Sequence, residues 1–204
     1  VRQRPSAPEK KRIAWISCSP EPEAYGTLDI LYSRLEQLFE QYGFKADTRG
    51  SIPNNFDEAN FAVVTAHGQL TSDQRYIHSI ADEQDLIESP LALAQALAGV
   101  ELVILFVCSG GRVDDHPLTN TTVSLPKMLL DRGCRTVIAS PWPLSVVVPG
   151  NWLECFLEVW ESGDTALEAN SKANAHVRNR QGPEPGLALA MTVYGDVLLT
   201  KNAD

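Results

Sequence analysis

The chain has 204 residues, of which 44% are hydrophobic and 21% are charged, and its net charge is −9. This composition predicts one fairly large folded domain rather than a disordered chain. The acidic balance disfavours direct nucleic-acid binding, which needs a basic surface. No apolar stretch approaches the roughly 18 residues of a membrane span, so we expect no membrane association. Residues 1–11 are basic and polar, and are interpreted as a linker from a longer polypeptide; residues 12–204 are the expected domain.

The four cysteines bear on cellular compartment and on metal binding. Cys18, Cys108, Cys134 and Cys155 are far apart in the chain, and each lies in or beside an apolar run. This spacing favours thiols in a reducing, cytoplasmic environment over a disulfide framework. No Cys-x-x-Cys or His-x-x-x-His pair occurs. We therefore predict neither a metal site nor a cofactor.

The first half of the chain alternates strand and helix patterns. In chain order the predicted elements are Arg12–Cys18 (strand), Thr27–Tyr42 (amphipathic helix), Phe44–Thr48 (strand), Phe61–Ala66 (strand) and Pro90–Leu97 (helix). Gln69–Ser89 is polar and has no periodicity, which is typical of a loop near an active site. We expect this loop to be mobile in the free domain.

The second half continues the alternation. In chain order the predicted elements are Leu102–Val107 (strand), Ser124–Asp131 (helix), Thr136–Ser140 (strand), Asn151–Glu161 (helix), Thr165–Val177 (helix capped by Asp164), and Leu187–Tyr194 and Asp196–Thr200 (strands). Arg112–Thr122 is expected to be a second mobile polar loop. The element order predicts an α/β fold with a mostly parallel central sheet and helices on both faces.

Two of the apolar strands end in residues that can do chemistry. Leu102–Val107 is an uninterrupted apolar run, typical of a strand buried on both faces, and it leads into Cys108. Phe61–Ala66 leads in the same way into His67-Gly68. Parallel strands end at the same edge of a sheet, where open α/β sheets bind ligands. If the strands are neighbours, the imidazole and the thiol share one crevice as a cysteine-histidine dyad.

A dyad of this kind supports nucleophilic catalysis. A thiol becomes a competent nucleophile when a nearby imidazole takes its proton. Glycine directly after His67 lets its backbone N–H approach an oxyanion without obstruction. The N–H groups of Gly68 and Cys108 would then form a two-donor oxyanion hole for acyl transfer.

Four segments together resemble a known family. FAVVTAHG, ELVILFVCSGG, LPKMLLDRGCRTVIASPWPL and FLEVWESGDTALEANSKANAHV are similar to successive blocks of the CHAT domain, a caspase-like peptidase domain often found beside tetratricopeptide repeats. The resemblance implies a caspase-like three-layer α/β sandwich and cysteine endopeptidase activity, with His67 as the base and Cys108 as the nucleophile. It also implies that the strand edge at Ser140 and Trp142 lines the pocket for the residue before the scissile bond.

This sequence departs from the family at two places. Many relatives carry an acidic residue directly after the cysteine, where this chain has Ser109. Many also carry one a few positions after the tryptophan, where this chain has Leu144-Ser145-Val146. Both departures bear on substrate preference and leave the dyad intact.

Substrate preference is inferred from the acids near the expected pocket. Glu21 and Glu23 follow the first strand, and Asp114 and Asp115 follow the cysteine, against the single base Arg112. Carboxylates select a basic residue, so this set favours Arg or Lys before the cut. The alternative is that these acids are solvated loop residues of an acidic protein.

Three functions remain open from the sequence. The first is a cysteine endopeptidase that cleaves a protein partner and is controlled by a regulatory region or activator, such as tetratricopeptide repeats, outside this sequence. The second is a catalytically silent caspase-like module that acts as a scaffold or sensor, which the missing flanking acids favour. The third is a thiol hydrolase of small amides or esters on a flavodoxin-like sheet.

Overall fold

The fold was analysed on a computed structural model. It describes residues 11–17, 25–48, 52, 56, 59–70, 76–79, 87–88, 90–108, 110–111, 114–115, 122–145, 147–181 and 191–201. The strands are β1 (Arg12–Ile16), β2 (Lys45–Thr48), β3 (Phe61–Leu70), β4 (Tyr76–Ser79), β5 (Ile87–Glu88), β6 (Leu102–Val107), β7 (Asp114–Asp115), β8 (Thr122–Val123), β9 (Thr136–Ala139) and β10 (Thr192–Gly195). The helices are α1 (Tyr25–Gln41), α2 (Pro90–Ala96), α3 (Leu125–Leu130), α4 (Val148–Glu161) and α5 (Ala166–Gln181).

Within the described residues, the main sheet has the strand order β2-β1-β3-β6-β9-β10. The first five strands are parallel, and β10 runs antiparallel to β9 at one edge. The sheet is therefore mostly parallel, as the alternation of strands and helices predicted. β3 and β6, which lead into the histidine and the cysteine, are direct neighbours in its centre.

Helices cover both faces of this sheet. One face packs against α1, α4 and α5, and the other against α2 and α3. Strand β6 is buried by both helical layers. Leu102, Ile104 and Phe106 pack with the core residues of α1, α4 and α5, while Val103, Leu105 and Val107 pack with those of α2 and α3. Since successive side chains point to opposite faces, an uninterrupted apolar run is what a strand between two helical layers needs. The predicted α/β fold with helices on both faces is confirmed.

The face under α4 is built from stacked aromatic rings. Trp152 stacks on Phe156 with ring centroids 4.8 Å apart, and Phe156 stacks on Trp160 at 6.0 Å. The Trp152 indole N–H also donates to Asn174 Oδ1 on α5 at 2.8 Å. Residues four apart lie one above the other on a helix, so these rings form one continuous stripe. This stripe holds α4 and α5 in a fixed position against the sheet.

The prediction for the start of α5 is wrong in one detail. Thr165, rather than Asp164, caps the helix: its Oγ1 accepts the Glu168 N–H at 3.3 Å, and the Glu168 carboxylate accepts the Thr165 N–H at 3.0 Å. This reciprocal arrangement is a capping box. Asp164 instead forms an ion pair with Lys172 at 2.7 Å.

The predicted last strand, Asp196–Thr200, is also wrong. Gly195 has a φ of +91°, which turns the chain out of the strand. The segment then folds back onto the start of α5, where the Ala166 and Leu167 N–H groups donate to Leu199 and Val197. Those carbonyls thereby satisfy helix N–H groups that have no partner within the helix. Of the preceding predicted strand, Leu187–Ala190 lies outside the described residues.

The two predicted polar loops contain strands where they are described. Strand β3 continues to Leu70 because its last residues pair with β4, which in turn pairs with β5. β7 and β8 form a separate two-stranded sheet inside and just after Arg112–Thr122. The remainder of Gln69–Ser89 and of Arg112–Thr122 lies outside the described residues, so their predicted mobility stays a prediction. Among the described helices, none has the length and apolar character needed to cross a membrane.

Candidate active site

The register of the two central strands sets the positions of the histidine and the cysteine. The last paired residues of β3 and β6 are Ala66 and Val107. His67 and Cys108 are the next residues of the two chains, so they hold equivalent positions on neighbouring parallel strands. Beyond this point β3 pairs with β4, and His67 lies opposite Ser79.

Alternation puts both residues on one face of the sheet. Phe61 and Val63 on β3, and Ile104 and Phe106 on β6, belong to the cluster under α1, α4 and α5. Every second residue of a strand shares a face. Cys108 therefore falls on the same face as Phe106, and position 67 falls on the same face as Val63. The backbone alone thus brings the two predicted dyad positions to one edge and one face.

Cys108 is a partly exposed thiol. Its Sγ lies 3.9 Å from the carbonyl oxygen of Leu144, in the segment that follows β9. Two other cysteines have raised pKa values: burial raises the pKa of Cys134 to about 11, and burial followed by the charge of Glu158 raises the pKa of Cys155. Both thiols therefore stay protonated at neutral pH, which makes them poor nucleophiles.

Hydrogen bonds at Gly110 and Gly111 hold the turn after Cys108. The Gly110 N–H donates to the Val107 carbonyl at 2.9 Å and closes the turn. The Gly111 N–H then donates to the Ser140 carbonyl at 2.7 Å, and the Gly111 carbonyl accepts the Tyr194 hydroxyl at 2.9 Å. Hydrogen bonds to β9 and β10 therefore hold the backbone that carries the thiol.

Gly111 is the residue that this close approach requires. A Cβ at this position would lie 2.7 Å from the Tyr194 hydroxyl and 3.0 Å from the backbone of both Ser140 and Pro141. Real Cβ atoms essentially never come closer than 3.0 Å to another heavy atom. The need for glycine here is thus steric, because the turn packs directly on the end of β9.

The predicted pocket residues Ser140 and Trp142 occupy a turn at the end of β9. Ser140 is fully buried, and its hydroxyl accepts the Trp142 N–H at 3.1 Å and donates to the Trp142 carbonyl at 2.9 Å. The Trp142 side chain is 54% exposed. Ser140 therefore shapes the turn, and Trp142 presents an aromatic surface at the same edge of the sheet as the thiol.

The placement of the four predicted acidic residues in the pocket stays a prediction. Asp114 and Asp115 form β7, which pairs with β8 and not with the main sheet. Glu21 and Glu23 lie outside the described residues. Within the described part of the chain, no group of three His, Cys, Asp or Glu residues is placed to hold a metal ion.

Two contacts of the site were not predicted from the sequence. The Leu144 carbonyl is a backbone group. The sequence drew attention to its segment only because it lacks the acidic residue that many relatives carry there. Tyr194 lies 83 residues from its partner Gly111 and was assigned only to a short strand. Nothing local in the sequence marks a tyrosine on an edge strand as the partner of a distant turn.

Comparison with known proteins gives structural matches alone. No protein-family model matches the chain, and no curated protein matches it in sequence. The chain resembles Saccharomyces cerevisiae separase in its complex with securin (TM-score 0.60, 14% identity, covering 92% of this chain and 12% of that one). It also resembles gingipain R, an Arg-specific cysteine proteinase (TM-score 0.60, 13% identity, covering 93% and 47%). Caspase-1 from Spodoptera frugiperda is a third match (TM-score 0.51, 13% identity, covering 92% and 89%).

These matches establish the fold. Most of this chain superposes on the three proteins, although it spans less than half of the separase and gingipain chains. With its central parallel sheet between two helical layers, the chain has a caspase-like fold.

Proposed function

We propose that the chain is a cysteine endopeptidase of the CHAT type, with His67 as general base and Cys108 as nucleophile. One observation carries the proposal: the pairing of Ala66 with Val107 puts His67 and Cys108 at equivalent positions on neighbouring parallel strands. A caspase-like fold with a partly exposed thiol at this edge is consistent with it. The four sequence blocks that resemble the CHAT domain support the narrower family assignment.

The proposed reaction is acyl transfer through a thioester. The His67 imidazole takes the thiol proton, and the Cys108 sulfur attacks the carbonyl carbon of the scissile peptide bond. The N–H groups of Gly68 and Cys108 stabilise the resulting oxyanion. The imidazolium then gives its proton to the leaving amine, which departs as the C–N bond breaks. Water, deprotonated by His67, hydrolyses the thioester and restores the thiol.

We further propose that the exposed ring of Trp142 borders the pocket for the residue before the cut, with Ser140 holding the turn beneath it. A basic residue is the proposed preference, because Glu21, Glu23, Asp114 and Asp115 lie in segments that follow strands of this sheet. The fold is shared with an Arg-specific proteinase, which is consistent with this preference. The proposal also includes a protein substrate, a cytoplasmic location and a regulatory protein partner. One structural match, separase, was solved in a complex with another protein, securin.

Covalent labelling tests the dyad and the preference together. Three peptidyl acyloxymethyl ketones that differ only in carrying arginine, leucine or aspartate before the ketone are incubated with the full chain. The Cys108 thiolate displaces the carboxylate leaving group and leaves a thioether, which mass spectrometry locates. We expect labelling at Cys108, fastest with arginine, and a decrease of about 100-fold in His67→Ala.

Internal controls make the labelling result decisive. Cys134 and Cys155, whose thiols stay protonated at neutral pH, should remain unlabelled in the same spectra. Equal labelling of Cys108 in wild type and His67→Ala would refute the dyad. Faster labelling by the leucine or aspartate probe would refute the basic preference and leave the dyad in place.

A catalytically silent interaction module is the second candidate. The observation that favours it is the Leu144 carbonyl 3.9 Å from Sγ, since a carbonyl oxygen accepts a hydrogen bond from a thiol but not from a thiolate. This candidate predicts that iodoacetamide reaches Cys108 while none of the peptidyl probes does, with and without candidate protein partners. Turnover of any peptide that is lost in His67→Ala would exclude it.

A further inference from the structure

The hydrogen bond between Tyr194 and Gly111, here called the Tyr194 clamp, involves a residue with no part in the proposed chemistry. Tyr194 lies on β10, opposite Val137 of β9, and its hydroxyl donates to the Gly111 carbonyl at 2.9 Å. β10 is the antiparallel strand at one edge of the main sheet. A single hydrogen bond thus crosses from this strand to the turn that follows the central strand β6.

The hydroxyl forms hydrogen bonds with the Gly111 carbonyl and with the Thr192 side chain. Tyr194 is half-buried, and burial is the main cause that raises its pKa above the ordinary value of 10.0. The phenol is therefore a hydrogen-bond donor throughout the neutral range. Gly111 is buried and its N–H is already bonded to Ser140, so the tyrosine hydroxyl satisfies the other polar group of the same residue.

We propose that Tyr194 is a positioning residue of the active site, whose hydroxyl fixes the backbone at Gly111 and thereby the Cys108 N–H. This inference rests on the proposed peptidase function, because it gives the fixed N–H its role as an oxyanion donor. Such a donor works only when it is held at the place where negative charge develops. Tyr194 acts through Gly111 and does not touch substrate.

Loss of the Tyr194 hydroxyl should slow the step that uses the Cys108 N–H as an oxyanion donor. Without the hydroxyl, the Gly111 carbonyl loses its partner, and the turn can shift towards water to recover one. A shift approaching 1 Å lowers the rate of a positioned reaction by about 100-fold. Substrate binding elsewhere in the cleft does not depend on this N–H, so kcat should fall while KM changes little. Alkylation of the thiol by iodoacetamide needs no oxyanion donor and should keep its rate.

Tyr194→Phe is the test variant, since it removes the hydroxyl and keeps the ring. The matched control is Thr136→Val, which removes a partly buried side-chain hydrogen bond to the Asp196 carbonyl at the amino end of β9, away from the turn after Cys108. Both full-length variants are compared with wild type in peptide turnover, in inhibition by a peptide aldehyde, in iodoacetamide rate, and in amide hydrogen exchange of residues 105–111. The aldehyde forms a hemithioacetal whose oxygen occupies the oxyanion hole.

The expected result separates positioning from general stability. In Tyr194→Phe, kcat falls by 10-fold to 100-fold and aldehyde binding weakens in parallel, while KM and the iodoacetamide rate stay within about twofold. Exchange in residues 105–111 accelerates in Tyr194→Phe and not in Thr136→Val. Unchanged exchange overturns the inference whatever the activity, and so does accelerated exchange with unchanged kcat, or an equal loss of kcat in the control.

Failure of the proposed function looks different. If wild type itself neither turns over peptides nor reacts with the peptidyl ketones, the peptidase proposal fails, and the positioning role falls with it. Accelerated exchange in Tyr194→Phe would then show that the clamp is purely structural.

Discussion

The two ends of the central sheet are built for different purposes. At the amino end of the parallel strands, charged and polar side chains make contacts between strands: Arg135 forms an ion pair with Asp196 at 2.9 Å, and the Thr136 hydroxyl donates to the Asp196 backbone carbonyl. At the carboxyl end, the Ser140 carbonyl and the Tyr194 hydroxyl both bond to backbone groups of Gly111. The Cys108 thiol there is partly exposed, and the Trp142 side chain is 54% exposed.

This difference separates stability from chemistry within one sheet. Side chains used to tie strands together are unavailable to a ligand, as they are at the amino end. At the carboxyl end, the hydrogen bonds to the backbone of Gly111 hold the turn in place without using the Cys108 or Trp142 side chain. Two glycines, Gly195 at the amino end and Gly111 at the carboxyl end, test whether the division is real.

Substitution of Gly195 should have the largest effect on stability. Its φ of +91° strains any side chain, and a Cβ would collide with the Arg135 carbonyl oxygen. We expect Gly195→Ala to lower the free energy of unfolding by about 3 kcal/mol, measured by urea denaturation. Gly163→Ala is the control, because Gly163 has a φ of +95° but open space around its Cβ position.

The control isolates the collision from the backbone strain. Gly163→Ala should cost about 1 kcal/mol, from strain alone. Turnover per folded molecule should be unchanged in Gly163→Ala, and any loss of turnover in Gly195→Ala should follow displacement of Tyr194, which directly precedes Gly195 in β10. Equal losses in Gly195→Ala and Gly163→Ala would mean that the amino end yields easily and is not the rigid half of the sheet.

Substitution of Gly111 should show the opposite pattern. An added Cβ would lie 2.7 Å from the Tyr194 hydroxyl and 3.0 Å from backbone atoms at the end of β9, so the turn that carries Cys108 must move. We expect Gly111→Ala to lower kcat/KM per folded molecule by about 100-fold. Circular dichroism gives the folded fraction and peptide hydrolysis gives the rate. Retention of full turnover would contradict the proposal that this backbone is part of the catalytic site.

The sequence predicted the parts of this comparison that depend on local patterns. Leu102–Val107 matches β6 to the residue, because six successive apolar side chains are typical of a strand buried on both faces. The same pattern predicted that Cys108 follows the strand. The prediction of a strand over Asp196–Thr200 is wrong because Gly195 turns the chain onto α5. The hydrogen bonds that stabilise this turn come from residues about 30 positions away. The Tyr194 clamp is non-local in the same sense.

The guanidinium group of Arg12 should stabilise the fold by more than its positive charge alone. Arg12 Nη1 donates to the Tyr42 carbonyl at 3.0 Å, Nη2 pairs with Glu161 at 2.7 Å, and the guanidinium lies 5.8 Å from the centre of the Phe44 ring. Lysine keeps the charge but cannot make these contacts together. We expect Arg12→Lys to lower the free energy of unfolding by about 1 kcal/mol, measured by urea denaturation.

An exposed arginine provides the comparison for this effect. Arg34 pairs with Glu154 at the surface, where its side chain is 44% exposed. Arg34→Lys should change the stability by less than about 0.5 kcal/mol, because exposed ion pairs contribute little. If Arg12→Lys is equally mild, the ion pairs of the amino end are ordinary surface contacts.

The smallest expected effect concerns the capping box at the start of α5, which packs against the amino end. Hydrogen bonds from the Thr165 N–H and hydroxyl lower the pKa of Glu168. A carboxyl group whose pKa is lower in the folded than in the unfolded state stabilises the fold above its unfolded pKa, and this contribution disappears as the pH falls through the folded value. Glu168→Gln should therefore be slightly less stable than wild type at pH 7, and the difference should shrink below about pH 4. Thermal unfolding at both pH values, with Glu36→Gln on α1 as the control for loss of a surface carboxylate, measures it. A difference that stays constant with pH would mean that the box acts by geometry alone, and that charge adds nothing to the stability of this end.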